Sequence, residues 1–216
     1  LQSRSLWNPR LPRNICQRNK TKGISDERVL QAIKTVPRHL FSFDSALEKH
    51  AYINKAFPIE SGQTISQPYT VALQSQLLDV HENEKILEIG TGSGYQASIL
   101  YQMGARVYTI ERQKQLYTSA KQLLNDLHYQ INTFFGDGFA GLPRFAPFDK
   151  IIITAAAPYI PVVILEQLKI GGILVAPVNS GENQEMLRIV KLSETDFEQT
   201  RHGECKFVPM LDGTSD

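Results

Sequence analysis

The chain has no long apolar run. Its most apolar stretch, "IIITAAAPYIPVVIL" (151–165), is broken by Pro158 and Pro161 and is too short to cross a bilayer. The opening "LQSRSLWNPRLPRN" has no continuous apolar h-region, so no secretory signal is expected there. Cysteine is scarce. Cys16 and Cys205 stand alone, outside any CxxC pair or Cys/His cluster. A disulfide scaffold and a cysteine-bound metal are excluded, and two free thiols in a reducing compartment, the cytoplasm, are expected. Net charge is also lacking: 23 Lys and Arg against 22 Asp and Glu leave +1, which gives no reason to expect nucleic acid or an anionic membrane as partner. The local exception is the basic N-terminal stretch with Arg4, Arg10, Arg13, Arg18, Lys20 and Lys22, read as a solvated, partly mobile arm. Internal repeats and low-complexity segments are missing too. The five histidines are scattered and read as surface or packing residues.

What is present is enough chain, at 216 residues, for one well-buried domain plus an extension. Ile24, Val29, Leu30, Ile33 and Val36 have helical spacing within 24–41, with Ser25 as the expected N-cap and Pro37 as the stop. Residues 42–61 read as short helix and loop. "YTVALQSQLLDV" (69–80) is helical again. Beyond it the rhythm changes. "KILEI" (85–89), "RVYTI" (106–110), "QINTFF" (130–135), "DKIIIT" (149–154) and "GGILVAPV" (171–178) are short apolar strands, separated by helical segments, the last of them "IPVVILEQLK" (160–169). Such alternation predicts a parallel sheet covered on both faces. "MLRIVKL" (186–192), "DFEQTRH" (196–202) and "CKFVPM" (205–210) are strand-like without helices between them, an expected antiparallel addition to the sheet edge. The expected division is a helical extension over 1–80 and an open α/β unit over 81–216.

"LEIGTGSGYQA" (87–97) sets Gly90, Gly92 and Gly94 between a strand and a helix. Glycines there let the backbone approach a ligand at the carboxyl ends of the strands. Dinucleotide sites use GxGxxG. Here the spacing is GxGxG with Glu88 two residues before the first glycine, and a carboxylate suits a cationic amino-acid ligand better than pyrophosphate. The pattern therefore favours S-adenosyl-L-methionine over a nicotinamide dinucleotide. Glu111 ends the second strand, 17 residues beyond Gly94, near the roughly 20-residue offset of ribose-binding acids. Asp137, in "GDG" (136–138), follows the third strand, in reach of an adenine amino group. Each acid has a plainer alternative: a helix cap for Glu88, a solvated strand end for Glu111, an ordinary turn for Asp137. Tyr95 and Gln96 begin the next helix and either line the cofactor or pack.

"AYINKAFPIESGQTISQP", "ILEIGTGSGYQA", "VYTIER", "GDG", "PFDKIIITAAA" and "LKIGGILVAPV" together resemble the protein-L-isoaspartate O-methyltransferase family, from about Val29 to "FVPM" (207–210). The glycine loop is shared with many methyltransferases; "GQTISQP" and "TAAA" are far more specific. The resemblance implies a Rossmann-like class I methyltransferase acting on isoaspartyl-containing proteins and peptides; a monomer is expected. It would methylate the free carboxylate of L-isoaspartyl residues, which then close to a succinimide and can reopen as aspartate. The family's active-site serine matches Ser66, with Thr64 and Ile65 along the cofactor and substrate cleft. Gly90, Gly92 and Gly94 match the methionine site, Glu111 the ribose site, and Asp137 with Gly138 the adenine site. Val208 matches the C-terminal strand beside the cleft, as peptide contact or as core. Glu60 stands where the family usually has glycine and Phe57 where leucine is common, which bears on peptide preference.

Ser66 also reads as an N-cap for the helix that follows, and Thr64 as a turn former. A carboxylate acceptor is ionised at neutral pH, with a pKa of about 3.5–4, so the lack of a Ser–His–Asp or Cys–His set is expected. Three rivals remain: a small-molecule methyltransferase, which has no use for "GQTISQP"; a non-catalytic binding protein on the same fold; and a nicotinamide dehydrogenase, disfavoured by the glycine spacing.

Overall fold

The computed structural model describes residues 10–42 and 50–216. The expected basic arm is a helix from its tenth residue: α1 spans Arg10–Thr21. It is held by packing, with Ile15 and Asn19 buried and the Cys16 thiol donating to the Leu30 carbonyl at 3.2 Å. Residues 1–9 of the expected arm lie outside the described residues. α2 spans Glu27–Thr35 and buries Val29, Leu30, Ala32 and Ile33. Its cap is Asp26, not the expected Ser25. The Asp26 carboxylate accepts the Arg28 N–H at 2.8 Å, while the Ser25 N–H donates to Gln76 Oε1 at 2.7 Å. An aspartate one residue later reaches the free amides of the first turn just as well.

The stretch expected as short helix and loop contains a small hairpin among its described residues. β1 (Phe57–Pro58) pairs antiparallel with β2 (Thr64–Ile65). α3 follows over Pro68–Leu78. Then come β3 (Lys85–Ile89), α4 (Tyr95–Gln102), β4 (Arg106–Glu111), α5 (Lys114–Asp126), β5 (Asn132–Phe135) and β6 (Phe148–Ile153). The expected helix at 160–169 is shorter: α6 is Val162–Glu166, and β7 already begins at Leu168 and runs to Ser180. Gln167 explains the early end. Its side chain accepts the Leu142 N–H at 2.8 Å and donates to the Ala140 carbonyl at 2.9 Å, pinning the chain to the neighbouring loop. β8 (Asn183–Lys191) and β9 (Phe197–Cys205) complete the sheet.

The seven strands lie in the order β5-β4-β3-β6-β7-β8-β9. The first five are parallel; β8 and β9 add antiparallel at the edge, as expected. The expected strand over 205–210 does not form. A single bridge joins Ala156 to Pro209, because proline has no N–H to extend a ladder. Two apolar clusters flank the sheet, one beneath the helices α1 to α5 and one beneath α6, so both faces are covered, as parallel strands with apolar residues on both faces require. Strand order reverses between β3 and β6, and ligands bind at such reversals, outside the carboxyl ends of the strands. Both cysteines are free thiols. Among the described residues no helix is long and apolar enough to cross a membrane.

Candidate active site

At that reversal a single open cleft, about 870 Å³ with its mouth, gathers residues from both parts of the chain. β2 and the turn after it bring Thr64, Ile65 and Ser66. The loop after β3 brings Gly90 and Gly92, the end of β4 brings Glu111, and the loop after β5 brings Gly138. Val208 closes the far wall. Eight of the residues matched from sequence thus share one space.

Close backbone approach shapes its floor. Gly90 has φ +99°, and a Cβ there would come within 2.6 Å of Thr154 Oγ1. Thr154 Oγ1 itself donates to the Gly90 carbonyl at 2.6 Å. Gly90→Ala therefore combines left-handed strain with a clash, and a loss of about 2–4 kcal/mol is expected; a thermal melt that coincides with the parent's would contradict it. At Gly138 a Cβ would meet Ile89 Cγ2 at 2.6 Å, so only glycine keeps that wall flat.

Glu111 is nearly buried, and each of its oxygens takes one backbone donor. Oε2 accepts Gly92 N–H and Oε1 accepts Gln113 N–H, both at 2.9 Å. The carboxylate thus ties the glycine loop to its own strand end and keeps its remaining lone pairs for a diol in the cleft.

Three of the matched residues are not in the cleft lining. Gly94 is buried at the start of α4, where a Cβ would press on Leu124 at 3.2 Å. Asp137 accepts the Phe139 N–H at 2.9 Å, an aspartate turn, while its neighbour Gly138 faces the cleft. Glu88 is fully buried beneath the loop. Thr109 Oγ1 donates to its Oε2 at 2.5 Å, and Thr91 Oγ1 lies 2.6 Å from Thr109 Oγ1. Burial pushes the Glu88 carboxyl up to about 8; the nearby Glu111 adds to the rise, and the Thr109 bond opposes it.

Ser66 is half-buried and is not the helix cap. Gln67 holds that position, without a side-chain cap bond. Among the described residues the Ser66 hydroxyl has no hydrogen-bond partner, while its carbonyl accepts Arg38 Nη2 at 2.8 Å. The helix start offers few free donors: Pro68 brings no N–H, and the Tyr69 N–H is held by Asn54 Oδ1 at 2.9 Å. Glu60 does not line the cleft. It accepts the Ser119 hydroxyl of α5 at 3.0 Å. Phe57 pairs with Ile65 in the hairpin.

Sequence reading missed several wall residues, among them Gln63, Arg112, Gln113, Met210 and Leu211. Arg112 donates to the Asp212 and Gly213 carbonyls, which folds the C-terminal segment over the end of β4. Tyr95 and Gln96 do line the cleft, and Tyr95 Oη and Gln96 Oε1 are buried without partners. Such atoms are costly to leave unpaired. The Tyr95 hydroxyl is turned to the buried Arg38 guanidinium; with the glycine cradle and the Glu111 carboxylate, Gln96 Oε1 fits a ligand that has both a diol and an amino-acid end, as S-adenosyl-L-methionine does.

An open α/β sheet with a GxGxG loop at the strand reversal and an acid ending the next strand defines a Rossmann-like methyltransferase. A family model described as protein-L-isoaspartate(D-aspartate) O-methyltransferase matches residues 12–215, and the chain belongs to that family. A protein-L-isoaspartate O-methyltransferase of Cytophaga hutchinsonii is 53% identical over 201 residues, 93% of this chain and 90% of that one. Its counterpart from Flavobacterium johnsoniae is 55% identical over 193 residues, 88% and 89% of the two chains. Among solved structures, a protein-L-isoaspartate O-methyltransferase has a TM-score of 0.82 at 26% identity, covering 92% of this chain and 65% of that longer one. A Plasmodium falciparum protein solved with S-adenosyl-L-homocysteine has a TM-score of 0.80 at 22% identity, covering 92% and 97%, a likeness of fold.

Proposed function

We propose that this chain repairs aged proteins by transferring a methyl group from S-adenosyl-L-methionine to the free carboxylate of L-isoaspartyl residues. The observation that carries the reading is the single cleft in which Ser66 and Val208 meet the glycine loop and Glu111. The sulfonium supplies an already activated methyl group. The acceptor carboxylate is ionised at neutral pH, so the chain has no proton to remove. Its residues bind, orient and exclude water. Ser66 donates its hydroxyl to the carboxylate and orients it. Thr64 and Ile65 flank both ligands, and Glu111 takes the ribose hydroxyls. Gly138 with Asp137 borders the adenine, and Gly90, Gly92 and Gly94 shape the methionine end above Glu88.

The substrate is read through its main chain, which suits a lesion that occurs in many sequences. Val208 contributes its side chain and N–H there, because its carbonyl is taken by the Ala156 N–H at 2.7 Å. Residues 1–80 carry the substrate-side loop and 81–216 the cofactor site. A monomer that acts in the cytoplasm, without nucleic acid, is the proposed working form.

The test is methyl transfer from labelled S-adenosyl-L-methionine to two peptides that differ only in L-isoaspartate or L-aspartate. Base-labile label on the isoaspartyl peptide alone is expected. In Ser66→Ala it should fall about 10- to 100-fold, as for loss of one hydrogen bond to a charged group. Label on neither peptide, with cofactor still bound, would overturn the reading.

A further inference from the structure

Among the described residues Arg38 is the largest fully buried side chain, 1% exposed, and it is bonded to the Ser66 segment. Its Nε donates to the Ala51 carbonyl at 2.7 Å and its Nη2 to the Ser66 carbonyl at 2.8 Å. Its guanidinium carbon sits 4.7 Å from the centre of the Tyr95 ring, and Tyr95 lines the cleft. Nη1 has no hydrogen-bond partner, and among the described residues no carboxylate pairs with this cation.

A buried unpaired charge is expensive. A methionine would fill the same space without that penalty, so packing alone does not account for an arginine here. Among the described residues the nearest side-chain oxygens are the hydroxyls of Tyr95 and Tyr52, which favour the guanidinium but carry no charge to neutralise it. Burial pushes the Tyr95 phenol up to about 12 and raises that of Tyr52 further, so both stay un-ionised at neutral pH. Burial also lowers the Arg38 pKa, but a guanidinium starts so high that it remains charged. Of the residues that the guanidinium touches, Ser66 and Tyr95 line the cleft.

We infer that Arg38 is a positioning residue for the acceptor carboxylate: it fixes the backbone of Ser66 and sets behind it a positive charge that no carboxylate among the described residues neutralises. The inference rests on the reading that Ser66 faces an isoaspartyl carboxylate. Arginine suits the task better than lysine because its planar fork holds residues 51 and 66 at once. The charge acts through the low-dielectric wall, where attraction is several times stronger than in water. Neutral acceptors gain nothing from it, so the residue contributes to selectivity for a free carboxylate.

The experiment compares binding of two peptides to the enzyme loaded with S-adenosyl-L-homocysteine. One carries the isoaspartyl carboxylate and the other its uncharged carboxamide counterpart. In the parent the acid should bind at least about tenfold more tightly than the amide. Arg38→Met should lose most of that preference while its affinity for S-adenosyl-L-homocysteine stays within about twofold. Arg38→Lys should keep the preference but lower kcat, because the hold on the Ser66 carbonyl is gone. Equal binding of acid and amide by the parent would overturn the inference, whether or not the variants fold. So would an intact preference in a folded Arg38→Met, or an equal loss of peptide and cofactor binding in both variants. Absence of methyl transfer by the parent, with the acid preference retained, would sink the functional reading and leave the Arg38 assignment standing.

Discussion

Glu111→Ala is expected to weaken cofactor binding by two to three orders of magnitude, roughly the loss of two hydrogen bonds to a charged acceptor. The carboxylate has two tasks in the structure. It accepts the N–H groups of Gly92 and Gln113, and its other lone pairs border the cleft. Removing it leaves two backbone donors without their acceptor and frees the glycine loop from the end of β4. The variant should therefore lose stability as well, on the order of 1–3 kcal/mol. Calorimetric titration with S-adenosyl-L-homocysteine measures the first effect. Melting with and without that ligand measures both, since a ligand that binds only the folded state raises its stability by mass action. Glu111→Gln separates the tasks, because the amide oxygen keeps one acceptor position while the charge is gone. A variant that binds the ligand within about threefold of the parent would remove Glu111 from the ribose site.

Stability should fall as pH rises, and Glu88→Gln should abolish much of that fall. In the folded chain the Glu88 carboxyl holds its proton up to about 8, against the ordinary glutamate value of 4.5. Between the two values the folded state binds more protons than the unfolded one, so stability declines with increasing pH. The favourable contribution is complete below pH 4.5 and is lost as pH passes through about 8. A shift of this size corresponds to roughly 4–5 kcal/mol at full extent. The cause is geometric: a carboxyl at the centre of a sheet, with one partner hydroxyl on Thr109, a second acid at Glu111, and Oε1 without a partner. Glutamine has the same shape and no charge. Melting curves of parent and Glu88→Gln should therefore nearly coincide at pH 5 and separate by about 10 °C at pH 9. Parallel curves across that range would show that Glu88 ionises in the folded chain as an ordinary acid does.

The two acids show where sequence reading works and where it stops. Both were visible as carboxylates near a glycine loop. Glu88 pairs with Thr109 across the sheet, and Glu111 lies two residues beyond Thr109 on the same strand. All three side chains thus belong to one face of the sheet. Glu88 is one residue short of its strand end and is covered, whereas Glu111 is the last residue of its strand and emerges at the cleft. Alternation could not reveal this difference, because both faces of β3 are packed and Ile86 to Ile89 are buried without alternation. The basic N-terminal stretch failed for a related reason. Leu11, Ile15 and Cys16 are its few apolar residues, too short a stripe to read as a helix, and α1 is held by packing on α2 and α3.

Local chemistry in the chain determined the strand–helix alternation, the parallel sheet, the loop at the strand reversal, and the acid that ends β4. Those features depend on short-range pattern: apolar strands, glycines that allow left-handed backbone, and fixed spacing along the sequence. Tertiary structure alone decided what lies behind the cleft. The hold of Arg38 on Ser66 spans 28 residues of chain, and the bond from Ala156 to Val208 spans more than 50. The fold of the C-terminal segment over Arg112 spans about 100 residues. No sequence period encodes such contacts. They arise when the fold brings distant segments together, where a buried guanidinium finds two carbonyls in reach and, among the described residues, no carboxylate to neutralise it.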